Sequence, residues 1–212
     1  MGAKIWMVVH SEGDARNLLR SGLALDESAT RNFVTNMFPG RKFADAGKGD
    51  LSYTNPPKGK VFAGCYPGLK IAASIEFGKN FPSKLPAHFV SSKGRTYLHA
   101  MHSVVDWFAF ALWQDGVLVR ALSLSPDSGI LEDIGDHLAF EHPFWNGKHP
   151  AVEPEEDPSA YPFPFHPLEL GEAALKEFFG YQLEGFIDPE LLEPENIPLL
   201  HFTQAKPWWH FW

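Results

Sequence analysis

The chain has 212 residues, 44% of them apolar and 21% charged, and its 18 basic and 26 acidic side chains leave a net charge of -8. These proportions suit a globular protein with a sizeable core and exclude wholesale disorder. The acidic balance argues against a phosphate-neutralising surface and so against nucleic acid, while the lone Cys65 forbids an intrachain disulfide and fits a reducing compartment.

Ile5 to Val9 is apolar on both faces and reads as a buried strand. The run is too short for the core of a signal peptide, and no stretch approaches the roughly 20 apolar residues of a membrane span. The expected location is therefore cytoplasmic, with no membrane association. Asp14 is placed to cap a short helix through Arg20 that ends at Gly22. Asp26 caps a second helix, in which Ala29, Phe33, Val34, Met37 and Phe38 share a face before Pro39-Gly40 stops it. Arg41 to Lys60 is polar and rich in Gly and Pro, and reads as loop. Strands are expected at Val61–Tyr66 and Leu69–Phe77 around Pro67-Gly68, and again at Ala87–Val90 and Arg95–Met101.

Trp107 to Ser125 is two apolar runs joined at Asp115-Gly116. That dipeptide supplies the two positive-φ positions of a type I′ turn, so the segment reads as a β-hairpin with strands near 106–114 and 117–125. Both faces of both strands are apolar, which places the hairpin inside a sheet covered on both sides. Pairing through a two-residue turn sets Ala111 opposite Arg120 and Asp106 opposite Ser125. Asp106, Phe108 and Phe110 then share one face, and Arg120 lies on the other, diagonal to Trp113, where an indole would cover its guanidinium.

Residues 143–167 carry seven prolines, which exclude a helix interior or a central strand. Phe144, Trp145, Tyr161, Phe163 and Phe165 are interleaved with them, so the stretch reads as a strap packed over the domain rather than a solvated linker. Leu170 to Gly180 follows as an amphipathic helix, with Leu170, Ala174, Leu175, Phe178 and Phe179 facing inward and Glu172, Lys176 and Glu177 assigned to the solvent side. In the tail, Trp208, Trp209, Phe211 and Trp212 are too apolar for an ordinary chain end and suggest a protein partner or self-association.

Candidate chemistry is sparse. His10, Ser11, Glu12 and Asp14 follow the first strand, a common ligand position in open α/β sheets, but no glycine-rich phosphate cradle accompanies them. His99 and His102 have metal spacing only on a helix. On a strand they point to opposite sides, so no metal is expected. Glu132, Asp133, Asp136 and Glu141 read as a solvated acidic loop without calcium-loop spacing. His166 and Glu169 precede the amphipathic helix, where the acid favours the helix dipole and the imidazole is either a general base or a packed ring. Nothing near Cys65 activates a thiolate, and no nucleophile elbow is present.

The opening MGAKIWMVV, the run HAMHSVVDWFAFALWQDGVLVRALSLSPDSGILEDIG, the piece LAFEHPFWNG and the segment YPFPFHPLELGEAALKEFFG together resemble an uncharacterised family of bacterial proteins, a domain of unknown function. The similarity runs from the first residue to about Gly185. It implies a bacterial cytoplasmic protein of one domain and carries no activity, cofactor or catalytic residue.

The expected architecture is a single α+β domain over 1–212, with a mainly antiparallel sheet, helices on one face and the proline-rich strap. Missing catalytic motifs and the aromatic surplus favour a non-catalytic binding or interaction module without a cofactor. The rival reading is a small-molecule enzyme whose site draws on His10, His99, His102, His166 and Glu169.

Overall fold

The structure, a computed structural model, describes residues 4–22, 24–152, 161–186 and 188–205. The aromatic tail, Trp208, Trp209, Phe211 and Trp212, and the middle of the strap, 153–160, lie outside them. The fold is α+β. Its nine strands among the described residues are β1 (Lys4–Ser11), β2 (Phe43–Asp50), β3 (Lys60–Tyr66), β4 (Leu69–Ala73), β5 (Arg95–His102), β6 (Trp107–Gln114), β7 (Val117–Ser125), β8 (Gly129–Ile134) and β9 (Pro198–Gln204). They form one antiparallel sheet in the order β2-β9-β3-β4-β1-β5-β6-β7-β8.

The helices are α1 (Ala15–Arg20), α2 (Glu27–Met37), α3 (His142–Trp145) and α4 (Pro167–Phe179). They cover both faces of the sheet, not one. Alternate residues of each strand feed two separate cores, and each core needs its own cover. On one face α2 sets Phe33, Val34 and Met37 against Val8, Ala63 and Leu98, helped by Phe77 and Phe89 from short 3-10 turns. On the other, α1 and α4 pack Leu19, Leu175 and Phe179 against Met7, Ile71 and Met101. The described ends of the strap extend that second layer, placing Phe144, Phe163 and Phe165 over Phe108, Phe110 and Leu122. Double coverage is why the hairpin strands are apolar on both sides.

Asp14 and Asp26 accept the backbone N–H groups of Asn17 and Ala29, capping α1 and α2 as their sequences require. A second pair of bonds fixes α2 to β3: Cys65 N–H donates to Thr30 Oγ1, and Asp26 N–H donates to the Cys65 carbonyl. Ala87–Phe89 is a 3-10 turn and not a strand, with Phe89 buried. Within the expected loop 41–60, Phe43–Asp50 forms the edge strand β2. It is mostly exposed, and its ladder comes from β9 rather than from an apolar face of its own.

The β6–β7 hairpin turns at Asp115 and Gly116, both at positive φ (51° and 81°). Its register differs from the expected one. A bulge between Leu112 and Trp113 puts Ala111 opposite Ala121 and Leu112 opposite Arg120. One extra residue moves Arg120 to the opposite face. There it lies 5.9 Å from the Phe110 ring centroid, not over Trp113. Asp106 stands outside the ladder, in the left-handed region at φ 45°.

Arg120 is fully buried. Its Nε and Nη2 donate to Glu141 at 2.9 and 2.7 Å, and Nη1 reaches Asp133 and the Ile134 carbonyl. Burial, the largest influence, pulls its pKa down, yet Glu141 and Asp133 hold it above the ordinary value. Glu132 is also buried and accepts the Ser83 N–H at 2.8 Å. The acidic stretch is therefore largely engaged with the protein rather than solvated. Its acids answer a buried cation and a backbone donor that lie far from them in sequence.

Removing one partner of a buried ion pair strands the other. Arg120→Met is expected to cost about 3–5 kcal/mol in urea denaturation, and the double variant with Glu141→Leu should recover much of that loss. A loss below about 1 kcal/mol for the single variant would show that Glu141 is not dependent on the guanidinium.

Candidate functional site

Helix α4 positions the site. Pro167 occupies its first turn, where the absent N–H is not missed, and Glu169 favours the dipole. His166 is the N-cap, and its Nδ1 accepts the Leu168 N–H at 3.3 Å. At the other end Gly180 adopts φ 77° and returns both of its backbone groups: its N–H to the carbonyls of Leu175 and Lys176, its carbonyl to the Leu192 N–H. Mid-helix, Gly171 lets α4 sit directly on β5 and β6. A Cβ there would lie 2.7 Å from Met101 Sδ and 3.1 Å from Phe108 Cδ2.

The chain reversal at Gly180 lays residues 181–186 beside α4, over Glu172. This carboxyl is buried at 7% exposure. Its Oε2 accepts the Leu183 N–H at 2.8 Å, and the Glu184 backbone also supports the charged form. Oε1 is buried with no partner among the described residues. Burial is the largest influence and pushes the Glu172 carboxyl up to about 7, with the nearby Glu184 charge adding to the rise.

Glu172 lines a pocket of about 630 Å³ between α4, the 181–186 segment and the strap. Phe144, Leu168, Ala173 and Phe186 give its apolar wall, and Phe186 stands almost fully exposed at the mouth. Glu169, Lys176 and Glu184 add charge, with Lys176 Nζ 3.4 Å from Asp188. Such a volume, mostly apolar with a few convergent polar groups and one perturbed titratable group, has the general character of a small-ligand site.

The histidines singled out in the sequence do not gather. His10 stands at the end of β1, where its Nε2 donates to the Phe89 carbonyl at 2.7 Å and its ring meets Phe33 edge-on. Burial lowers its pKa. It borders a cleft of only about 250 Å³, and an antiparallel sheet offers no strand-order switch point there. His99 is fully buried beneath α4. Its Nε2 donates to the Gly171 carbonyl at 3.0 Å, and burial brings its pKa down to about 4, so the ring is neutral. His102 packs beside Trp6, at 5.7 Å between centroids, in a cleft of about 500 Å³ shared with Trp107. The extended backbone of β5 sends His99 and His102 to opposite faces. Among the described residues no three His, Cys, Asp or Glu side chains converge as metal ligands do.

His166 and Glu169 do line the Glu172 pocket. The imidazole is nevertheless occupied. Its Nδ1 caps α4, so a neutral ring carries its proton on Nε2, which faces Asp106 at 3.6 Å. Tyr161 stacks on the ring at 5.8 Å, and burial raises its phenol pKa to about 12. Cys65 is buried and its thiol is pushed up to about 11, away from any reactive thiolate.

Glu172 was assigned to the solvent side of α4 on sequence grounds, and the structure puts it inside. The signal was present. Glu172 stands three and seven residues before Leu175 and Phe179, a spacing that shares their buried stripe.

Fold and site together define an α+β protein with one doubly covered antiparallel sheet and a ligand-sized pocket beside its longest helix. The chain belongs to the family of unknown function DUF6928, which matches residues 5–202. The match therefore continues past Gly185, through most of β9. No curated protein and no solved structure matches the chain. No helix among the described residues is long and apolar enough to cross a membrane.

The raised pKa of Glu172 has a stability consequence. The folded state holds this proton more tightly than the unfolded chain, whose carboxyl titrates near the ordinary 4.5. Stability therefore falls as pH rises from about 4.5 to about 7, by roughly 3 kcal/mol from this group, and the loss persists above that range. Glu172→Gln has no charge to bury. Its melting temperature relative to wild type should rise between about pH 5 and about pH 8. An unchanged difference across that range would show that Glu172 is solvated.

Proposed function

We propose that this chain is a non-catalytic, single-domain binding module of the bacterial cytoplasm that takes a small organic ligand in the α4 pocket. The observation that carries this reading is a mostly apolar cavity whose lining includes Glu172, a buried carboxyl with one oxygen bonded to backbone and the other buried without a partner among the described residues. A buried polar atom without a partner costs on the order of 1–3 kcal/mol, more when charged, and a bound ligand supplies the missing donor.

The enzymatic alternative finds less support. His10, His99 and His166 each commit ring nitrogens to holding backbone in place, and the four candidate histidines sit in separate surroundings. A net charge of -8 supports a target other than nucleic acid.

A thermal-shift screen of small cationic, neutral and anionic compounds tests the pocket. Binding to the folded state raises the melting temperature in proportion to RT ln(1 + [L]/Kd). Stabilising compounds are expected, and their effect should vanish in Ala173→Trp, which fills the cavity from a half-buried position on α4. Stabilisers that act equally on the filled variant, or a screen without any, would contradict the reading.

A further inference from the structure

We infer that the pocket beside α4 selects an organic cation, a primary amine on an apolar body, whose ammonium group is received by Glu172. The inference rests on the pocket reading above and adds the chemical class of the ligand.

Three observations point the same way. The first is Glu172, which lines the cavity and whose Oε1 is a buried acceptor without a partner among the described residues. An ionised carboxylate only accepts, so its partner must be a donor. The second is charge. Glu169, Glu172 and Glu184 line the pocket; its one lysine, Lys176, is already beside Asp188, and its two imidazoles, His149 and His166, are stacked on Phe144 and Tyr161, the second facing Asp106. An anionic ligand would enter against three carboxyl groups. A neutral hydroxyl would fill the hydrogen bond but leave the buried charge uncompensated. An ammonium does both, and a charge-assisted bond is stronger than a neutral one. The third is the wall formed by Phe144, Leu168, Ala173 and Phe186, which offers apolar contact to a hydrocarbon or aryl body and none to a bare inorganic cation.

The site also explains why a half-satisfied carboxyl is tolerated. The Leu183 N–H and the Glu184 backbone fix the orientation of the group before any ligand arrives. A preorganised acceptor loses less side-chain entropy on binding. Burial raises the proton affinity of Glu172, so the carboxyl can hold a proton in the place the ligand's ammonium would take.

The test uses three probes of matched shape on the intact protein near neutral pH: phenylbutylamine, phenylbutanol and phenylbutyrate, by isothermal titration calorimetry. The amine is expected to bind about tenfold or more tighter than the alcohol, and the acid weakest. Glu172→Gln should weaken the amine by a similar factor while leaving the alcohol nearly unchanged, with folding checked by circular dichroism. Ala173→Trp should remove binding of all three. If the alcohol or the acid binds as tightly as the amine and Ala173→Trp removes it, the pocket stands and the cation selectivity is overturned. If amine binding survives in Ala173→Trp or is indifferent to Glu172→Gln, the ammonium is held elsewhere and the inference falls. Failure of all three probes also overturns it, and the broader screen then decides the pocket on its own.

Discussion

The close seating of α4 on the sheet is the constraint from which the site follows. A helix carrying side chains throughout its inner face would stand off from the strands. Gly171 removes that spacing where Met101 and Phe108 rise from β5 and β6. At this distance the Gly171 carbonyl meets the ring of His99, a buried imidazole that burial keeps neutral and able to donate. With the helix so placed, the neighbouring Glu172 is drawn below the surface level, and the turn at Gly180 closes residues 181–186 over it. Tyr181 is fully buried in the same layer, and burial holds its phenol far above its ordinary pKa. Among the described residues the pocket is thus framed by backbone turns and a helix contact.

A second buried charge system holds the far side of that frame. The bidentate pairing of Arg120 with Glu141 ties β7 to the start of the strap, and Glu141 also accepts the Leu138 N–H at 2.8 Å. Trp145 then stands edge-on to Phe165 at 4.9 Å, joining the first described part of the strap to the second. Phe144, which lines the pocket, sits within this cluster. The two buried acids play opposite roles. Glu141 has both oxygens engaged by a cation and a backbone donor, so its burial serves architecture. Glu172 has one oxygen satisfied and, among the described residues, no cation beside it.

Local signals made much of the fold legible. The Asp-Gly turn, the two aspartate caps and the double-faced apolar runs each rest on a few adjacent residues, and each reappears in the structure. What escaped depends on distant partners. The Leu112/Trp113 bulge reverses the face of Arg120 without any mark in the turn itself. Edge strand β2 has the composition of a loop and is a strand because β9 lies beside it. The acids after Gly129 look solvated until Arg120 and Ser83 meet them. Of the candidate site residues, His166 and Glu169 border the pocket, while Glu172 was misplaced because charge outweighed its spacing to Leu175 and Phe179. A charged residue on an apolar stripe deserves to be read by its position before its polarity.

The central claim is that Glu172 is a buried, half-satisfied carboxyl, and a site-resolved titration tests it most directly. Following the side-chain carboxyl carbon of Glu172 by NMR, assigned through loss of its signal in Glu172→Gln, should give a midpoint near the value of about 7 that burial imposes. A midpoint near the ordinary glutamate value of 4.5 would place the group in water and remove the basis for the site.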